Sequence, residues 1–146
     1  MKNILIILAF LVSTSFFAQE EWGDLQKNKL TLKEIAPVWP GCEGNDPAVR
    51  DECFNKKLSA HIRSNFRYPA KEYKENIQGR VVVEFNIDEA GLVDIQKVSG
   101  ATKGLQDEAK RIILAIPKMK PGMLAGKPRA IKYTVPFNFK TGKNDP

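Results

Sequence analysis

The stretch from Val81 to Ile87 constrains this chain more than any other segment. Val81, Val83, Phe85 and Ile87 alternate with Val82, Glu84 and Asn86, giving a period of two with one apolar side. Such alternation specifies a strand that buries one face. Asp88-Glu89-Ala90-Gly91 follows as turn chemistry, with a glycine able to take a positive φ. Leu92 to Val98 then returns, placing Val93 and Ile95 on one side. Together these segments predict a β-hairpin.

The flanking segments supply helices and a third strand. Leu105, Ala109, Ile112, Ile113 and Ile116 fall at i, i+4, i+7, i+8 and i+11, the spacing of one buried helical face. Glu108, Lys110 and Arg111 lie on the other side, where Glu108 and its basic neighbours read as helix-face pairing, and Pro117 ends the helix. Lys118 to Pro128 carries Pro121, Gly122 and Gly126 and reads as a loop. Arg129 to Phe139 is the last strand, with Ile131, Tyr133, Val135, Phe137 and Phe139 alternating. Pro136 inside it cannot donate a ladder hydrogen bond, so this strand belongs at a sheet edge. Upstream, Asp46-Pro47 reads as an N-cap followed by proline at the first helical position. Cys53, Phe54, Leu58, His61, Ile62 and Phe66 form the stripe of that helix, which ends near Asn65, before Tyr68-Pro69. Pro69 to Asn76 reads as a further short turn of helix, and Trp39, between two prolines, either caps the core or sits exposed, capping being the commoner fate. The fold class is α+β: a three-stranded antiparallel sheet with helices packed on one face, in the order α-β-β-α-β.

The N-terminus sets the compartment. Lys2 precedes an unbroken apolar run from Ile4 to Val12, and Phe16-Phe17-Ala18-Gln19 resembles a cleavage region, the anatomy of a secretory signal peptide. Phe16 is large where a small residue is usual, which leaves an uncleaved inner-membrane anchor as the alternative. The expected organisation is a signal peptide over residues 1–18 and a linker with a Pro/Gly-rich segment over 19–45. A domain follows over 46–141, then a polar tail over 142–146. Export to the periplasm makes Cys42 and Cys53 a candidate disulfide, with two buried thiols or a metal pair as the other readings. His61 is the only histidine and no Cys-x-x-Cys spacing exists, so a metal pair is poorly supported. The formal net charge of +6 would suit nucleic acid in another compartment. In an exported chain it suits anionic envelope polymers, lipid headgroups or acidic protein surfaces, or simply a soluble basic surface.

Catalysis finds little support, and no cofactor is expected. Neither a Gly-x-Ser-x-Gly nor a Ser-x-x-Lys pattern is present. Pro121-Gly122-Met123-Leu124-Ala125-Gly126-Lys127 only superficially resembles a phosphate loop. Proline stands at its first glycine position and Pro128 where Ser or Thr would hold magnesium. Asp88, Glu89 and Asp94 read as solvated charges around the hairpin turn.

From Tyr68 onward an ordered set of anchors resembles the TonB C-terminal domain. It runs through Tyr68-Pro69, Gly79-Arg80-Val81-Val82-Val83-Glu84-Phe85, Ile87-Asp88-x-x-Gly91 and Leu105-x-x-Glu108-Ala109. It continues through Pro117, Pro121, Gly126-Lys127-Pro128 and Tyr133-x-x-Pro136-Phe137-x-Phe139, about half the chain in all. The Pro-x-x-Pro-Gly-Cys-Glu segment with Cys53 and the His61 helix more loosely resembles an extension of exported TonB-like proteins of Bacteroidetes-type bacteria. The resemblance implies a module that grips a short peptide of an outer-membrane receptor by adding it as a strand to a sheet edge. It points to Tyr68, Pro69, Arg129, Ile131, Tyr133, Val135 and Phe137 as the peptide-binding residues, the edge backbone carrying the pairing. It does not extend to energy transduction. A transducer needs an anchor and a long proline-rich spacer, and residues 19–45 reach at most about 95 Å when fully extended. The expected partner is an outer-membrane receptor or other envelope protein, with membrane contact only through partners unless the signal is uncleaved. An exposed edge can also pair with a second copy to form a homodimer. The competing reading is a structural envelope protein that binds peptidoglycan or anionic lipid through its basic face.

Overall fold

A computed structural model describes residues 34–44 and 46–143 of the chain. The expected signal segment and residues 19–33 of the expected linker lie outside the described residues. The elements are, in order, β1 (Glu34–Ile35), α1 (Pro47–Asn65), α2 (Ala70–Lys74), β2 (Gly79–Ile87), β3 (Val93–Gly100), α3 (Lys103–Leu114), β4 (Gly122–Leu124), β5 (Lys127–Arg129) and β6 (Ile131–Phe139).

The main sheet is antiparallel in the order β3-β2-β6. Val81, Val83, Phe85 and Ile87 on the central strand have no exposed surface, and Leu105, Ala109, Ile112, Ile113 and Ile116 are all buried with them. Burying a side chain of this size stabilises the fold by about 1.5–3 kcal/mol over leaving it in water. That gain holds the α3 stripe and the β2 face together. The β2–β3 loop is closed by Asp88, whose side chain accepts from the N–H groups of Ala90 and Leu92, both at 2.8 Å. The returning strand runs two residues further than expected, to Gly100, and carries a bulge: Lys97 faces Glu84 whereas Ile95 faces Phe85, leaving Gln96 as the extra residue. The bulge shifts the inward set, so that Val98 packs on the core together with Val93 and Ile95.

Helix α1 begins as the sequence predicts, with the Asp46 carboxylate accepting from Ala48 N–H at 2.9 Å and proline in the first turn. It is then held along its length. The Cys42–Cys53 disulfide, with Cα atoms 5.7 Å apart, joins it to the Pro/Gly-rich segment. Trp39 of that segment is buried, with its ring edge-on to Phe54 and tilted against His61, so the stretch expected as linker supplies two core residues, Trp39 and Cys42. His61 donates from Nε2 to the Ile112 carbonyl at 2.9 Å and accepts at Nδ1 from Asn65, a structural role between two helices. At the end of α1, the Glu108 carboxylate accepts from Arg67 N–H and from Arg111, while Arg111 also donates to the Asn65 carbonyl. Glu108 and Arg111, expected to pair only along their own helix, thus cap the end of another. Burial pushes the Glu108 carboxyl up, but the bonds from Arg111 and Arg67 outweigh it and hold the group below the usual carboxylate range.

Lys118 to Pro128, expected as a loop, contains a hairpin. Strand β4 pairs with β5 on one side and with β1 on the other, and Val38 bridges to Lys120. Ala125 and Gly126 both take positive φ, 51° and 78°, as a two-residue turn of this hand requires. Three-residue arms are too short to show a period, and the third strand comes from far away in the chain.

Gly91 fixes this region to the main hairpin. Its φ is 79°, its carbonyl accepts from Met119 N–H at 2.9 Å, and a Cβ there would overlap the Met119 carbonyl. Gly91→Ala should therefore lower stability by at least about 2 kcal/mol in urea unfolding with the disulfide intact. A loss under about 0.5 kcal/mol, the scale of a neutral surface change, would show that the turn does not depend on this approach.

Candidate functional site: the free edge of the last strand

Strand β6 lies at the sheet edge, as Pro136 requires. Its register against β2 runs from Gly79↔Phe139 to Ile87↔Ile131, with Pro136 opposite Val82. In an antiparallel ladder, pairs that exchange both hydrogen bonds alternate with pairs that exchange none. Proline has no N–H to exchange, so Pro136 belongs to the second set. Tyr133, Val135 and Phe137 therefore bond to β2, whereas Lys132, Thr134 and Asn138 aim their N–H and C=O groups away from it. Pro136 offers only its carbonyl on that outer side. Among the described residues no backbone hydrogen bond from another element reaches these groups. The result is a row of donors and acceptors with one missing donor, beside exposed side chains at Lys132, Thr134, Pro136 and Asn138.

The side chains expected to bind are distributed unevenly around this edge. Phe137 is buried, and Ile131, Tyr133 and Val135 are half-buried, all on the inward face of the sheet. Tyr133 stacks between Phe54 of α1 and Phe85 of β2, with ring centroids at 5.1 and 5.7 Å. Arg129, expected in the last strand, lies in β5 instead. It lines a separate surface cavity with Glu89, Leu124, Lys127 and Pro128. Tyr68 and Pro69 stand at the far end of β6, about 20 Å from Tyr133 at the rise of an extended strand. There Tyr68 donates to the Ile77 carbonyl at 2.6 Å and packs edge-on against Phe66, Tyr73 and Phe139. Pro69 is the N-cap of α2. Lys143, near the end of the described chain, lies 4.1 Å from the Tyr73 ring centroid and donates to the Tyr73 carbonyl.

Sequence reasoning missed a cavity beside the start of β6. Helix α1 follows β6, with Phe54 on Tyr133 at one end and Phe66 on Phe139 at the other. Ala36, Asp51, Phe54, Asn55 and Tyr133 line a cavity of about 250 Å³ at the first of these ends. Asp51 and Asn55 carry no motif, since they sit on a helix of mixed charge. Only the packing of Phe54 on Tyr133 brings them to the strand. Burial there pushes the Tyr133 hydroxyl up to about 12, assisted by the negative charges of Asp51 and Glu34. Tyr68 is also raised, by burial and then by Glu72. On the opposite face of the sheet, Lys132 pairs with Glu84 at 2.5 Å and holds that carboxyl below its usual range.

The domain is α+β, with β3 and β6 as the two edges of its main sheet. The family described as Gram-negative bacterial TonB protein C-terminal matches residues 64–141, and the chain belongs to that family. The family is one of non-enzymatic interaction domains associated with TonB-dependent transport. Among solved structures, the chain is similar to a solution structure of the Helicobacter pylori TonB C-terminal domain. The two are 21% identical over 62% of this chain and 83% of that one, with a TM-score of 0.44. A second solution structure of the same domain is 19% identical over 69% of this chain and 100% of that one, with a TM-score of 0.39. No curated protein matches the chain.

The tyrosine environments give a pH test. The folded Tyr133 hydroxyl, at about 12, stands above its ordinary value of 10.0, so folding binds the proton more tightly than the unfolded chain does. The stability this provides is complete below pH 10 and is lost as pH rises through about 12. Alkaline denaturation followed by circular dichroism should therefore show falling stability across that window. Tyr133→Phe should flatten the fall. An equally steep fall in the Phe variant would place its cause elsewhere.

Proposed function

We propose that this chain is an exported, periplasmic module that captures an extended peptide of an outer-membrane receptor or another envelope protein. The peptide adds as a strand to β6, in support of TonB-dependent transport. The observation that carries this reading is the outward row of backbone groups at Lys132, Thr134 and Asn138, with the Pro136 carbonyl, that no other element among the described residues pairs with. Main-chain bonds along such a row give affinity, and the alternate side chains of the peptide give selection. Export rests on the apolar run from Ile4 to Val12 behind Lys2. The gap at Pro136 favours short partners, because a peptide carbonyl opposite it finds no donor.

Titration of the isotope-labelled protein with peptides from the amino-terminal plugs of outer-membrane receptors should shift amide signals from Lys132 to Asn138. Thr134→Pro removes an outward N–H that the ladder with β2 does not use. It should weaken a binding peptide by about tenfold, the scale of one hydrogen bond, while thermal unfolding stays cooperative. Absence of shifts along β6 with every peptide, or unchanged affinity in a folded Thr134→Pro variant, would contradict strand capture.

A further inference from the structure

We infer that the cavity between α1 and the first half of β6 is a subsite for a cationic side chain of the captured strand, arginine above all. The subsite rests on strand capture at β6 and adds to it a rule about the partner. A strand laid on β6 turns alternate side chains toward the helix-covered face of the sheet. The one level with Tyr133 meets the cavity formed by Ala36, Asp51, Phe54, Asn55 and Tyr133.

The chemistry of that lining is one-sided. Two aromatic rings, Phe54 and Tyr133, stack at 5.1 Å and offer an apolar floor. Asp51 and the Asn55 amide oxygen offer acceptors at the rim, and among the described residues no lysine or arginine lines the cavity. Asp51 is exposed and, among the described residues, makes no ion pair. The negative charges of both Asp51 and Glu34 are felt at Tyr133. A guanidinium suits such a place because its planar fork pairs with a carboxylate through two parallel N–H groups while its stem rests on the apolar floor. A leucine would gain the ring contact alone. A glutamate would meet two like charges. The chain as a whole carries a formal net charge of +6, so a preference for a cation cannot come from its overall field and must come from these groups.

The test uses the full chain with its disulfide oxidised and three nine-residue peptides of alternating valine and threonine. Valine stands at both ends, and the central valine is replaced by Arg, Leu or Glu, so the variable residue shares the valine face. Binding is followed by calorimetry and by amide shifts along β6. The Arg peptide should bind at least about fivefold more tightly than the Leu peptide, with the Glu peptide weakest. Asp51→Asn, a change at an exposed position, should remove the Arg advantage and leave the Leu peptide within about twofold of its original affinity. Equal affinities, a Leu preference, or an Arg preference that survives Asp51→Asn would overturn the subsite while β6 shifts upheld strand capture. No β6 shifts with any peptide would overturn both.

Discussion

Strand β2 is hydrogen-bonded on both sides and buries Val81, Val83, Phe85 and Ile87 completely, and the other elements of the main sheet take their positions from it. Its apolar face is covered by the stripe of α3, which leaves the two neighbouring strands as the sheet edges. The ladder between β2 and β6 then fixes which backbone groups of β6 point inward. Pro136 decides the phase of that alternation, because a residue without an N–H can stand only where no bond to β2 is needed. The same residue that makes the ladder complete on its inner side leaves a gap on its outer side. An edge of this kind resists pairing over its whole length while still offering a short template.

Helix α1 contributes the second half of the candidate site, and polar and covalent ties add to its apolar packing along its length. Among its residues Phe54 is the one that is buried, with Cys53, Leu58 and Ile62 half-buried against the core. The disulfide holds it at Cys53, His61 holds it to α3 through the Ile112 carbonyl, and Glu108 with Arg111 closes its last turn. Together with the stack of Phe54 on Tyr133, these ties keep Asp51 and Asn55 beside the strand. The stability of the fold and the shape of the cavity therefore share the same fastenings.

The parts legible in the sequence were those with a period or a strong punctuation. The two-residue alternation of β2, the stripe from Leu105 to Ile116, the Asp46-Pro47 start of α1 and the edge position implied by Pro136 all appear in the structure. Features made by contacts distant in sequence were not legible. The β4–β5 hairpin has arms too short to alternate and leans on Glu34–Ile35, which comes from the other end of the described chain. The bulge at Gln96 interrupts the alternation of β3, so Val98 rather than Lys97 turns inward. Arg129 falls on the wrong side of the break at Ala130 and belongs to β5. The cavity at Tyr133 depends on a helix and a strand separated by about eighty residues, and no local pattern marks it.

Hydrogen exchange of the β6 amides, read residue by residue, tests the central claim most directly. In the free protein Tyr133, Val135 and Phe137 should exchange slowly, since opening them requires breaking the ladder to β2. Lys132, Thr134 and Asn138 should exchange at rates close to those of open chain. A bound peptide strand should slow Thr134 and its outward neighbours and leave the inward set as it was. Equal protection of both sets in the free protein would mean that the edge is already occupied, and would contradict an edge held open for a partner.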